Sequence, residues 1–331
     1  MITKHYVPNQ SFSWLRGKEI INPYSKPLHS DYNFLIGKSE PEDIEFITGI
    51  DENGDEVLER CGIDGDITPC FFTKDLLIRY QEDHENYSVD PYMISKDNSW
   101  IISYGINEEG LVHVYMKDLG HLPINEQIYW RSFNVPPKGS LNKGFFERQM
   151  ECKFTASDNP VDVLLSVKKN INKNFQMRCG FELFRELSPE NEHISKTTHD
   201  LILNNQKQFD DQIHNLAKLF VDSLNKKELE KSTNWKPSTE NENKSIYFLD
   251  HFLTEKQIGN VSQISQVCKG LRILQTLRSS GSAHNKSSEY KELVKKQLEI
   301  EEFNITGAWQ KLIAILTQSM EIFLSTLINS A

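Results

Sequence analysis

Apolar positions along this chain follow two rhythms. In the first 185 residues they come in short runs near period two, broken by turn residues, which is the spacing of half-buried strands. Residues 43–50 (DIEFITGI) read as a strand and Glu56 to Glu59 as its return, with Asp51, Asn53, Gly54 and Asp55 as the turn. Trp100 to Ile106 and Leu111 to Met116 form a second pair across the loop from Asn107 to Gly110. Phe71 to Tyr80 reads as a short helix, and Pro136, Pro137 and Gly139 form a firm break.

After Pro189 prolines become rare and the spacing turns helical. Ile202, Phe209, Ile213, Leu216, Phe220 and Leu224 form one stripe. Residues 226–246 are charged and rich in Ser and Asn, and read as a solvated connector. Ser245 to Ile258 makes a second helix. Ile264, Val267, Leu271, Ile273, Leu274 and Leu277 build a third. Trp309, Leu312, Ile313, Leu316, Met320, Phe323, Leu324 and Leu327 build a long fourth that is core by its period. The expected fold class is therefore α+β, with a β-rich α/β domain over residues 1–185 and an all-α helical bundle over residues 190–331.

Bulk properties narrow the function. The 331 residues are 38% hydrophobic, enough to bury two cores. Net charge is -10, so contact with a nucleic acid would need a local basic patch. The first residues lack the apolar stretch of a signal peptide, and no apolar run reads as long enough to cross a bilayer. Cys61, Cys70, Cys152, Cys179 and Cys268 are odd in number and scattered, the pattern of reduced thiols in a cytoplasm.

The chemistry-bearing segment is residues 277–286 (LRSSGSAHNK). At about a hundred degrees per residue, Arg278 falls on the apolar stripe of Ile264, Val267, Leu271 and Leu274. A guanidinium there needs a buried acid, a ligand or a partner subunit. Gly281 can bend the helix end so that His284 converges with Arg278. From Val261 to Ser288 there is no Asp or Glu, while Lys269, Arg272, Arg278 and Lys286 are present, which makes this the chain's candidate basic patch.

A helical bundle with Arg and His so spaced late in its third helix resembles the HEPN superfamily of ribonucleases, over roughly the last 140 residues in pattern. The resemblance implies a homodimer through the bundle and RNA cleavage without metal or cofactor, in toxin or anti-phage systems with a regulatory or neutralising partner. Arg278 would stabilise phosphate charge in the transition state and His284 would move a proton, leaving a cyclic phosphate and a 5′-OH. Ser279 stands where the family often has Asn, Asp or His; Asn285, Lys286, Arg272 and Lys269 are the remaining substrate-binding candidates. The alternative is a non-catalytic dimerisation module that binds a nucleotide or a partner.

Other motifs carry less. Arg79 and His84 repeat the spacing, but among Glu82, Asp83 and Glu85 they read as an acidic surface. Residues 122–139 are similar to a segment of uncharacterised bacterial proteins, and physically read as a packed aromatic corner around Trp130. Gly37, Lys38 and Ser39 lack the upstream glycine of a P-loop, and residues 51–55 lack the sixth-position Gly of a calcium loop. No Cys or His pair has zinc spacing; His193 and His199 flank a helix start. Glu151 and Lys153, with Asp118 upstream, match the acid-x-Lys spacing of restriction-type nucleases, a pattern common by chance. The acid-rich stretch from Glu40 to Asp66 is a solvated face or a restraint docked on the bundle.

Overall fold

The computed structural model describes residues 44–61, 67–97, 99–157, 159–242, 244–281 and 288–329. It is α+β, with small antiparallel sheets in the first half and helices in the second.

Strands β1 (Glu45–Ile50) and β2 (Glu56–Arg60) form the expected hairpin. The Asp51 carboxylate accepts the backbone N–H groups of Asn53 at 2.8 Å and Asp55 at 2.9 Å, and Gly54 takes φ +90°. Strand β3 (Pro69–Phe72) occupies the start of the stretch expected to be helical, and the helix, α1 (Leu76–Glu82), begins only after it. A short apolar run does not declare its period, and here burial between two neighbouring strands decides it. β4 (Ser88–Val89), β5 (Met93–Lys96) and β6 (Trp100–Ser103) make a three-stranded sheet in that order. The run from Trp100 to Ile106 is thus broken at Tyr104: its first part pairs with β5, and only β7 (Gly105–Ile106) pairs with β8 (Val112–Tyr115). Gly105 is required there, because a Cβ would lie 2.5 Å from the His113 ring. Helices α2 (Met116–Gly120) and α3 (Ile124–Arg131) lead to β9 (Asn134–Val135), which completes a four-stranded sheet ordered β7-β8-β3-β9. Helix α4 (Lys143–Met150) comes next. The acidic β1–β2 hairpin packs on β3 and β9.

The helical core starts earlier than residue 190. Helix α5 (Pro160–Cys179) is capped by Asn159, which accepts the Val161 N–H at 2.9 Å, has Pro160 in its first turn, and ends at Gly180 with φ +82°. After α6 (His193–Thr197) and α7 (Gln206–Ala217), a π turn spans Lys218–Asp222. The expected connector contains α8 (Lys226–Ser232), and its Trp235 stacks on His251 with ring centroids 4.1 Å apart. α9 (Ser245–Glu255), α10 (Val261–Gly281), α11 (Ser288–Leu298) and α12 (Ile305–Asn329) complete the bundle. α11 escaped the sequence reading although Tyr290, Val294 and Leu298 bury one face of it at helical spacing.

Contrary to expectation, α12 is long and apolar enough to cross a bilayer by length and composition. In this fold its apolar side, from Trp309 through Leu316 to Phe323 and Leu327, is packed against α5 and α10. Phe175 of α5 meets Phe181, Phe252 and Phe323, so the bundle closes around it. Gly270 sets the spacing of α10 and α12: a Cβ there would lie 2.5 Å from the Ser319 hydroxyl oxygen.

These packings make the stability of each half testable. Phe175→Ala should cost about 3–5 kcal/mol in denaturant unfolding, because it hollows the junction of α5, α9 and α12; a loss below about 1 kcal/mol would place α5 outside the core. His113 is buried, and its Nε2 accepts the Asn142 N–H at 3.0 Å, so the proton sits on Nδ1. Burial pushes its pKa down to about 4. Since the unfolded imidazole protonates first as pH falls, stability should drop by about 3 kcal/mol between pH 6.5 and pH 4. His113→Gln should flatten that part of the pH–stability curve, and an unchanged slope would show that His113 does not govern it.

Candidate functional site

Helix α10 runs through the bundle against α7, α9 and α12, with Val267, Leu271, Leu274 and Leu277 buried. Of the seven residues singled out from sequence, the structure describes Lys269, Arg272, Arg278 and Ser279; His284, Asn285 and Lys286 lie outside the described residues.

The four do not share a face. Lys269 and Arg278 are nine residues apart, about half a helical turn in rotation. Each cation instead meets an acid from a different element. Lys269 pairs with Glu299 at 2.8 Å, Arg272 with Asp250 at 2.7 Å, and Arg278 with Asp222 at 2.6 Å. Arg272 also lies over the Tyr247 ring. Among the described residues of the acid-free run, Lys269, Arg272 and Arg278 are therefore each matched by a carboxylate that a neighbouring segment supplies. Ser279 is exposed, and its hydroxyl turns back onto the carbonyls of Gln275 and Thr276 at 3.0 Å.

A cation on that stripe called for a buried acid, a ligand or a partner subunit; Arg278 instead meets an exposed acid, because it lies at the edge of the apolar stripe and not beneath it. Its side chain is 30% exposed and that of Asp222 is 45% exposed, so the pair sits at the bundle surface. Other polar groups gather at this end. The Arg185 guanidinium donates to the Asp222 carbonyl at 3.1 Å, and Lys218 to Asn191 at 2.9 Å. His214, one helical turn before Lys218, titrates below the usual imidazole range, first through partial burial and then through the charges of Lys218 and Arg278. Sequence reasoning missed Asp222, Arg185 and His214. The spacing of His214, Lys218 and Asp222 along one helix was readable, but the π turn that sets the direction of Asp222 was not.

Of the other Arg–His pair, His84 is exposed beside the exposed Glu82 and Glu85, as read, but Arg79 is drawn to the aromatic core of the first half. Arg79 ion-pairs with Glu126, and its guanidinium carbon lies 3.8 Å from the centroid of the Tyr129 ring. Burial pushes the Tyr80 hydroxyl pKa up, so it stays protonated and donates to Glu126 at 2.7 Å while accepting from the Trp130 indole at 2.8 Å. The aromatic corner expected around Trp130 is thus the core of the first half, with a charge pair fixed inside it. His84 stacks on His193 across the junction of the two halves.

That junction holds two adjoining cavities of about 390 and about 520 Å³, which share Lys74, Tyr104, Asn159, Asp162 and Asp200 in their walls. His199 lines the first, with Nδ1 on the Asp200 carbonyl at 2.8 Å and Nε2 facing the Gln212 amide, so its polar atoms are satisfied. Lys153 pairs with Glu151 at 2.6 Å, and among the described residues no three His, Cys, Asp or Glu side chains converge. Neither a family model, nor a curated protein, nor a solved structure matches the chain.

The two kinds of ion pair should differ in weight. Glu126→Ala leaves the buried Tyr80 hydroxyl without its acceptor and the half-buried Arg79 without its acid, and should cost about 1–3 kcal/mol. Glu299→Ala breaks an exposed pair and should cost under about 1 kcal/mol. Equal losses in denaturant titrations would contradict this ranking.

Proposed function

We propose that the chain is a metal-independent endoribonuclease whose helical half carries the reaction. The observation that carries this reading is the placement of Arg278: a guanidinium held at the surface end of the central helix, six residues before His284 in the chain. In this reading Arg278 stabilises the charge that builds on the phosphate as the ribose 2′-OH attacks. His284 carries the proton to or from the reacting oxygens. The products are a cyclic phosphate and a 5′-OH. The protein acts in the cytoplasm as a homodimer through its bundle, as a toxin or anti-phage effector, with RNA as substrate and a regulatory or neutralising partner. Ser279, Asn285 and Lys286 are the substrate-binding residues of this reading, while Arg272 and Lys269, already paired with acids on other faces, contribute less than the sequence suggested.

One observation favours a second reading. Arg278, Arg272 and Lys269 are all matched by carboxylates, as in a bundle whose charges serve only to fix its helices. Such a protein would be a non-catalytic dimerisation module that binds a nucleotide or a partner.

Cleavage of a labelled RNA in excess chelator separates the two. The ribonuclease reading expects turnover by the wild type, a loss of about 100-fold or more in Arg278→Ala, and a loss of about 10²–10⁴-fold in His284→Ala. A folded wild type that leaves RNA intact would support the interaction module instead, and variants as active as a cleaving wild type would remove Arg278 and His284 from the reaction.

A further inference from the structure

Three helix ends meet at the opposite end of α10 from Arg278. The Arg178 guanidinium, near the close of α5, donates to the Leu327 carbonyl of α12 at 3.2 Å. In the turn between α9 and α10, a Cβ on Gly259 would lie 3.1 Å from the Thr326 side chain of α12. Met177, Val261 and Ile328 therefore stand at one end of the bundle, and they are 68%, 81% and 54% exposed. Scattered apolar side chains in water are ordinary. These, however, are three of the six large apolar residues more than half exposed among the described residues; Ile101, Ile128 and Phe154, the others, lie in the first half.

The same end is basic. Residues 168–181, 256–264 and 322–329, which build it, contain no Asp or Glu. An open groove of about 580 Å³ beside Met177 is lined by Arg178, Lys231, Lys256, Asn234 and Glu255. Glu255 is already engaged, accepting from the Thr233 hydroxyl at 2.7 Å and from the Asn234 N–H and amide at 2.9 and 2.7 Å. Lys231 pairs with Glu228 at 2.6 Å. Arg178, Lys256 and the exposed Lys173, one turn before Met177 on α5, make no ion pair among the described residues. Arg178 and Lys256 lie at helix C-termini, where a cation answers the helix dipole. The dipole does not account for three apolar side chains left in water beside them.

We infer that this end of the bundle docks on a bilayer surface carrying anionic phospholipid: Met177, Val261 and Ile328 enter the interface, and Arg178, Lys173 and Lys256 meet the headgroup phosphates. Charge complementarity selects that occupant, since the cations lack acids and the headgroups supply them. A bilayer takes isolated apolar side chains one by one while neighbouring basic residues stay among the headgroups. A protein partner would need a continuous, closely packed patch. The apolar side of α12 stays in the core, so the contact is with the surface and does not span the bilayer. Arg278, about 25 Å along α10 from Val261, faces away from it. The inference does not use the ribonuclease reading.

Co-sedimentation of the full chain with lipid vesicles, with melting curves of each variant alongside, tests it. Vesicles of phosphatidylcholine with about one-third phosphatidylserine should bind the wild type, phosphatidylcholine alone at least about tenfold more weakly, and about 0.5 M salt should release it. Lys173→Ala and Lys256→Ala should each weaken binding about fivefold. The Met177→Ser, Val261→Ser double variant should weaken it about tenfold or more, with melting unchanged because both side chains are exposed. Ile101→Ser, an exposed apolar change in the first half, should leave binding as it is. No binding to the anionic vesicles, binding indifferent to headgroup and salt, double variants that bind like the wild type, or an equal loss in Ile101→Ser would each overturn the inference. So would a dimer that the double variant abolishes in a protein that ignores vesicles, since this end would then meet a second copy. None of these outcomes bears on RNA cleavage, because the surface shares no residue with the Arg278 site.

Discussion

The missing side chain at position 270 sets the spacing on which the helical half depends. With only hydrogen there, α10 lies close enough to α12 for the Ser319 hydroxyl to donate to the Gln266 carbonyl, and any Cβ would collide with it. That contact fixes the height and rotation of α10 in the bundle. Leu271, Leu274 and Leu277 then point into the core, and Arg278 emerges at its edge, where Asp222 meets it. α5 packs against the other side of α12, so the helix that sets the site's framework is supplied partly by residues that precede the bundle as sequence spacing drew it.

Within that framework the charges sort by burial. Glu126 is buried and accepts from the Tyr80 and Tyr87 hydroxyls, while Arg79 reaches it half-buried across the Tyr129 ring, so loss of that carboxylate would leave buried donors unmatched. Lys269, Arg272 and Arg278 pair near water, where an ion pair contributes little to folding. Their geometry therefore matters more than their energy. Of the three, Arg278 has a partner whose own backbone is braced by other segments. The cavities between the halves border Lys74 and Asp200, so the sheet half and the bundle meet through polar groups rather than through one continuous apolar core.

The long elements were legible in the sequence because many apolar positions repeat the same period. α10 and α12 appear where Ile264–Leu277 and Trp309–Leu327 placed them, and the β1–β2 turn forms from the residues that turn chemistry requires. Short elements were not legible. Residues 69–72 are apolar throughout and carry no period, and at Tyr104 the chain leaves one sheet for another within a single apolar run, a change that period alone does not mark. The site was half legible. Arg278 stood out because a cation on an apolar stripe needs an explanation, but its partner lies 56 residues away behind a π turn that no local pattern announces. The same blindness to distant partners hid the carboxylates that meet Lys269 and Arg272.

The central claim is that Arg278 serves an attack by a ribose hydroxyl on the adjacent phosphate. A strand of deoxynucleotides with one internal ribose tests this most directly, in chelator, with the product ends identified by mass. The account predicts a single cut 3′ of that ribose, leaving a cyclic phosphate and a 5′-OH, and no cut when that ribose is also replaced by a deoxyribose. Cleavage elsewhere in the strand, or of the fully deoxy strand, would contradict it.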